Sequence, residues 1–168
     1  MRIRKHGGLV DVNSLGGVEI TPFAGQSIAI NGPITQNGAG AKQTVTVSLT
    51  AAQIIAMGTT PVSLIAAPGA GKCTIVDNIT FKMVTTATAF TGGGAVEFRY
   101  TDASGTKVTA DVAAAVITAG AGTSFTNVRG IEASLTGTAN AGIVIRNATA
   151  AFAAGTGTAT ITIEYHVV

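Results

Sequence analysis

Charged side chains make up only 11% of this sequence, less than half of the ~25% found in an ordinary soluble domain. Tryptophan is absent and aromatic residues total 5%, so any core must be thin and aliphatic. Cysteine occurs once, as Cys73, which excludes an internal disulfide and a cysteine-based metal site. The two histidines, His6 and His166, are too few for a zinc centre. No Asp-x-Asp-x-Asp loop suggests calcium, and neither a metal nor a cofactor is expected. Long apolar runs are also missing. Mean hydropathy is +0.47, yet no stretch approaches the ~20 apolar residues of a spanning helix. A membrane partner is therefore not expected. The basic first residues lack the apolar segment of a secretory signal.

What remains is rich in Ala, Val, Ile, Thr and Gly. Val, Ile and Thr are β-branched and favour strands, and glycine supplies turns. Net charge is +2. A nucleic-acid binder presents a basic stripe or patch; the basic cluster here is Arg2, Arg4 and Lys5, with His6 beside it. No nucleic-acid partner is expected. Low charge favours association over colloidal repulsion, which suits a subunit of an assembly.

Residues 1–42 are broken every few positions by Gly7-Gly8, Gly16-Gly17, Pro22, Gly25, Gly32-Pro33, Gly38 and Gly40. No periodic run there supports a strand or helix with its own core, so the segment reads as an extended arm. From residue 43 to 168 the pattern is that of one β domain. Val45, Val47 and Leu49 alternate with Thr44, Thr46 and Ser48, which predicts a half-buried strand. Thr50 then caps a short helix over Ala51–Met57 that Gly58 stops. Further strands are predicted at Pro61–Ile65, Cys73–Val84, Val96–Tyr100, Ile143–Ile145 and Ala159–Val167. In the long Cys73–Val84 strand, Cys73, Ile75, Ile79, Phe81 and Met83 share the odd face, with Asp77 as an exception. Phe125–Leu135 is ambiguous. Roughly seven or eight strands about ten residues apart predict an all-β, antiparallel sandwich or jelly roll carrying an N-terminal arm.

Motifs for chemistry are weak. Pro68-Gly69-Ala70-Gly71-Lys72-Cys73-Thr74 invites a phosphate-loop reading, but Ala66 and Cys73 stand where the motif needs Gly and Ser or Thr. The loop also leads into a strand, whereas a phosphate loop opens a helix. Nucleophilic catalysis needs a base beside the nucleophile, and no Gly-x-Ser-x-Gly elbow occurs to accompany His166. The carboxylates Asp11, Glu19, Asp77, Glu97, Asp102, Asp111, Glu132 and Glu164 are scattered. A glycosidase pair among them would usually be joined by aromatic platforms for sugar, and Trp is absent. The expectation is no enzyme and no catalytic residues.

The run Leu49–Lys72, with Thr60-Pro61-Val62-Ser63-Leu64 leading through Ala67-Pro68-Gly69-Ala70-Gly71-Lys72 into a long strand, resembles a segment of small virion proteins of tailed bacteriophages. The Gly-rich stretch Ala151–Thr158 before a final alternating strand is similar to their usual ending. The likeness spans roughly residues 45–168 and leaves out the arm. It implies a structural virion protein without catalytic residues, commonly assembled as a trimer or other symmetric cluster. The expected role is a head decoration, or cement, subunit. It would bind the outer capsid surface, bridge major capsid proteins and stabilise the shell, after synthesis in the host cytoplasm. Its expected partners are the major capsid protein and copies of itself, with a homotrimer favoured. Arg2, Arg4 and Lys5 are the candidate arm contacts. The alternative is a fibre, tail or host-recognition module.

Overall fold

The computed structural model describes residues 41–130 and 137–168. The chain divides into two units, residues 1–35 and 36–168; the first lies outside the described residues, and so does the expected arm up to residue 40.

Alternating Val/Leu and Thr/Ser residues form β1 (Lys42–Thr50), which buries Leu49 and half-buries Val45 and Val47 while exposing Thr44, Thr46 and Ser48. Thr50 ends the strand and caps helix α1 (Ala51–Ala56). Its hydroxyl accepts the Gln53 N–H at 3.3 Å, and its own N–H donates to Gln53 Oε1 at 2.9 Å, a reciprocal capping box. The helix drives Ile54 into the core and ends at Met57, which is also buried. After it come β2 (Val62–Ile65), β3 (Thr74–Thr85), the two-residue β4 (Thr91–Gly92) and β5 (Val96–Tyr100). A four-residue helix α2 (Ala114–Ile117) precedes β6 (Gly122–Arg129). Last are β7 (Ile143–Asn147), the two-residue β8 (Phe152–Ala153) and β9 (Gly157–Val167).

Two antiparallel sheets result, ordered β1-β9-β3-β6 and β2-β7-β5, with β4 and β8 forming a short ribbon. Residues 107–112 run beside β5 as an interrupted strand, bridging Arg99 to Lys107 and Val96 to Val112. Including that segment, the second sheet reads β2-β7-β5-(107–112). Successive strands then switch sheets in the order of an eight-stranded jelly roll. The expected all-β antiparallel class is what the structure has.

The core lies between the sheets. Leu49, Ile79, Phe81, Met83, Ile161 and Ile163 come from the first, and Val96, Phe98, Tyr100, Ile143 and Ile145 from the second. Tyr100 also stitches them together. Its hydroxyl donates to the Thr74 carbonyl at 2.6 Å, on a stretch of β3 that precedes the pairing with β6 at Asn78. Without it that buried carbonyl would keep only the weak Cys73 thiol donor, at 3.7 Å. Burial pushes the Tyr100 phenol far above its ordinary range, with the Cys73 thiol beside it a further cause.

One expectation is overturned in β3. Cys73, Ile75, Ile79, Phe81 and Met83 do not share a face. Asp77 is an extra residue: Val76 pairs with Tyr165 and Asn78 with Glu164, so the register shifts between them. A bulge flips the alternation. Before it, Thr74 and Val76 are buried; after it, Ile79, Phe81 and Met83 are. Cys73 and Ile75 are only half-buried. Gly130 closes on the bulge by donating its N–H to the Asp77 carbonyl at 3.1 Å. A Cβ at Gly130 would collide with the Val76 carbonyl oxygen.

Candidate functional site: an outer sheet face

The register of the first sheet aligns its outward side chains in rows. Thr44, Glu164, Asn78 and Arg129 make one row, and Thr46, Thr162, Thr80 and Asn127 the next. Ser48, Thr160, Lys82 and Phe125 make the third, and Thr50, Thr158, Val84 and Thr123 the fourth. Half of these side chains are threonines, and three carry charge: Glu164, Lys82 and Arg129. Within the second row, Thr46 and Thr162 hydroxyls meet at 3.2 Å, and Asn127 Nδ2 donates to Thr80 Oγ1 at 3.2 Å. Such a face is inexpensive to cover. Threonine has a short, stiff side chain with little rotamer entropy to lose, and few charges need desolvation. Its methyl groups supply apolar contact while its hydroxyls bond across an interface. Four strands about 4.8 Å apart and four rows about 6.7 Å apart span about 500 Å².

Two members break the polar pattern: Val84, which is half-buried, and Phe125. Phe125, in the edge strand β6, is 67% exposed. The Lys82 ammonium lies 5.8 Å from its ring centroid, within reach of a cation–π attraction.

An ion pair and a carboxylate–imidazole contact cap one end of this face. Lys42 Nζ reaches Glu164 Oε2 at 2.9 Å, and the Glu164 hydrogen bond and charge raise the Lys42 pKa above its ordinary value. The bulge places the Asp77 carboxylate 3.1 Å from His166 Nδ1. His166 thus sits on the outer side of β9 with Asp77. Among the described residues no Ser, Thr or Cys side chain hydrogen-bonds to it.

The opposite sheet has a different outer face. Glu97 is only 5% exposed because residues 101–111 fold over it. Arg99 Nε donates to its carboxylate at 2.8 Å, Lys107 Nζ at 2.7 Å, and Arg146 Nε lies 3.9 Å away. Arg99 also holds the Gly105 carbonyl at 2.6 Å, and Arg146 holds the Ala103 carbonyl at 2.7 Å. The cluster therefore clamps the covering loop to β5 and β7. Burial alone would raise the Glu97 pKa, but the hydrogen bonds and charges of Arg99 and Lys107 outweigh it and hold the carboxyl below its usual range. A general acid needs the opposite shift. Asp111 shares Lys107 with Glu97, at 2.9 Å, so these two carboxylates meet through a lysine.

Pro68–Gly71, the stretch that suggested a phosphate loop, is a turn between strands. Gly69 and Gly71 take φ of 105° and 73°, and Asn140 Oδ1 accepts the Gly69 N–H at 3.1 Å. The candidate contacts Arg2, Arg4 and Lys5 lie outside the described residues. Among the described residues no group of three His, Cys, Asp or Glu side chains is placed to hold a metal ion. The exposed Phe125 and the Glu97 cluster were not singled out as sites from sequence. Glu97 and Arg99, two apart in a strand, were the available signal for the second.

No protein-family model matches the chain, and no curated protein matches it. Among solved structures, a chain of the cyanophage Pam1 capsid asymmetric unit is similar at 15% identity and a TM-score of 0.47. That match covers 83% of this chain and 93% of that one. A chain from Bacillus endospore appendages, described as a novel family of disulfide-linked pili, is similar at 20% identity and a TM-score of 0.31. It covers 82% of this chain and 98% of that one. At these values neither likeness bears on what this chain does, and the functional reading rests on its own residues.

Proposed function

We propose that this chain is a structural virion subunit of the decoration, or cement, type. In this reading it binds the outer surface of a phage head and bridges neighbouring major capsid proteins, stabilising the shell. Copies of the chain cluster symmetrically, with a trimer favoured. The observation that carries the reading is the in-register, threonine-rich, charge-poor face of the first sheet. Interface centres are depleted in charge in the same way. The resemblance of Leu49–Lys72 to small virion proteins of tailed phages supports it.

Area decides how such a face would have to work. About 500 Å² falls short of the ~800 Å² per partner of a stable interface. Docking through this face alone would be weak. Residues 1–42 supply the remainder in this reading, with Arg2, Arg4 and Lys5 contacting acidic positions on the lattice. Tethered contacts gain from a high effective concentration once the domain has docked.

Cryo-EM of purified particles tests the placement. Many copies on the head surface are expected; a handful at one vertex or on the tail would overturn it in favour of a fibre or tail module. A second test uses the full chain with Arg2, Arg4 and Lys5 all replaced by Ala. It is expected to bind undecorated shells more weakly and with a shallower salt dependence. Unchanged binding removes those three residues from the interface.

A further inference from the structure

The first sheet has two edges, β1 and β6. Which backbone groups face outward follows from the hydrogen bonds. Thr86 N–H donates to the Thr156 carbonyl at 2.9 Å, and Gly130 N–H to the Asp77 carbonyl at 3.1 Å. Past the bulge, even-numbered β3 residues therefore bond to β9 and odd-numbered ones to β6. By antiparallel alternation, β6 turns the backbone of Ser124, Thr126 and Val128 toward β3. The N–H and C=O groups of Thr123, Phe125 and Asn127 point away from it. All three residues are exposed, and among the described residues nothing bonds to their N–H groups.

Natural monomers guard such an edge with lysine, proline, a bulge or an inward charge. β6 reads Gly-Thr-Ser-Phe-Thr-Asn-Val-Arg. It has no proline and no lysine, its pairing with β3 is unbroken, and its one charge, Arg129, is at the end. At its middle stands Phe125, 67% exposed.

We propose that β6 pairs antiparallel with β6 of a second copy about a two-fold axis through Phe125. In this register Phe125 lies opposite Phe125 of the second copy, Thr123 opposite its Asn127, and Asn127 opposite its Thr123. The outward-facing backbone groups of the two strands then meet as hydrogen-bonded pairs. Their side chains fall on the same face, which extends the threonine surface into one eight-stranded sheet. Facing phenyl rings form the cross-strand aromatic pair that strands favour, and each Lys82 flanks its own ring. Beyond Asn127 the edge is taken up within the chain, where Thr109 bridges Gly130, so the pairing spans Thr123–Asn127 and sets no like charges opposite each other. The other edge among the described residues, β1, fits β6 less well. Matched row for row as within one sheet, it would set Phe125 against Ser48, and this head-to-tail contact would leave β1 open at one end of the pair and β6 at the other, complementary edges that propagate rather than close. A two-fold pair rests on the assembly-subunit reading but makes no trimer by itself; it links copies, including copies in different clusters.

The test uses full-length chains in which Cys73, the one native cysteine, is replaced by Ser. One variant carries Thr123→Cys and the other Asn127→Cys. Opposed residues in a hydrogen-bonded pair have Cα atoms about 5.5 Å apart, suited to a disulfide. Two Thr123 positions in the pair are separated by about 14 Å and cannot be bridged. Mild oxidation is expected to give a covalent dimer when the two variants are mixed and none with either alone. Adding Phe125→Lys to both should reduce the yield at least tenfold while the circular dichroism spectrum stays unchanged. Cross-linking of Asn127→Cys to Thr46→Cys in place of Thr123→Cys would assign the edge to β1 and overturn the proposal, as would the absence of any cross-link. Copy number on particles is independent of this readout, so either reading can fail alone.

Discussion

At the scale of single residues, the few charges are concentrated where they hold a loop. Glu97 accepts from Arg99 and Lys107 while 5% exposed, and replacing it with Ala takes the shared carboxylate from Arg99, Lys107 and Arg146 and leaves Lys107 with Asp111 alone. Those cations are partly exposed, at 20%, 35% and 19% of their side chains, so water offsets part of the loss. The expected cost is about 2 kcal/mol in urea unfolding, with residues 101–111 becoming more sensitive to protease. The pH dependence has a definite sign. Glu97 is held below the ordinary carboxyl pKa in the folded state. Its contribution is therefore complete above the unfolded value of about 4.3. It is lost as pH falls through the lowered folded value. Glu97→Gln should flatten the acid limb of the stability curve; an unchanged limb would show that other carboxylates dominate it. Tyr100→Phe should cost about 1–2 kcal/mol, because the Thr74 carbonyl loses its short hydroxyl donor and keeps only the weak Cys73 thiol.

At the scale of elements, period-two alternation made β1 and β9 readable, and the Thr50 cap with Gly58 behind it made α1 readable. Thr50→Ala should cost about 1 kcal/mol through loss of the capping box, measured as a shift in the unfolding midpoint. β3 was legible as a strand but not in its faces. Nothing in Ile75-Val76-Asp77-Asn78 announces that one residue is extra; Asp77 was visible only as a polar interruption. The bulge depends on Gly130, which arrives from β6, so Gly130→Ala should cost about 2–3 kcal/mol or more by colliding with the Val76 carbonyl. β6 was illegible because its signal is inverted. Ser124 and Thr126 face inward, half-buried, while Phe125 faces out, and hydrophobic periodicity assumes the reverse.

At the scale of the whole molecule, a charge-poor face and two sheet edges are the features on which the proposed assembly role rests. The fragment 41–168 is expected to unfold cooperatively, since the buried cluster is supplied by the two sheets. It should retain the domain while binding shells at least tenfold more weakly than the full chain. A fragment that fails to fold would place part of residues 1–40 in the core and move the domain boundary. Of the candidate site, the threonine-rich strands were legible as half-polar strands. Their assembly into four aligned rows was not, because rows depend on register between strands as far apart in sequence as β1 and β9.

Composition and local pattern by themselves determined the class of this protein: β-branched residues alternating with threonine can bury one face of a strand and expose the other. Only the tertiary structure decided which strands are neighbours, where Asp77 bulges, that Phe125 looks outward and that Glu97 is covered. Each of these depends on backbone pairing between residues distant in the chain. A strand's own sequence specifies its period, while its partner specifies its register and which of its two edges stays open.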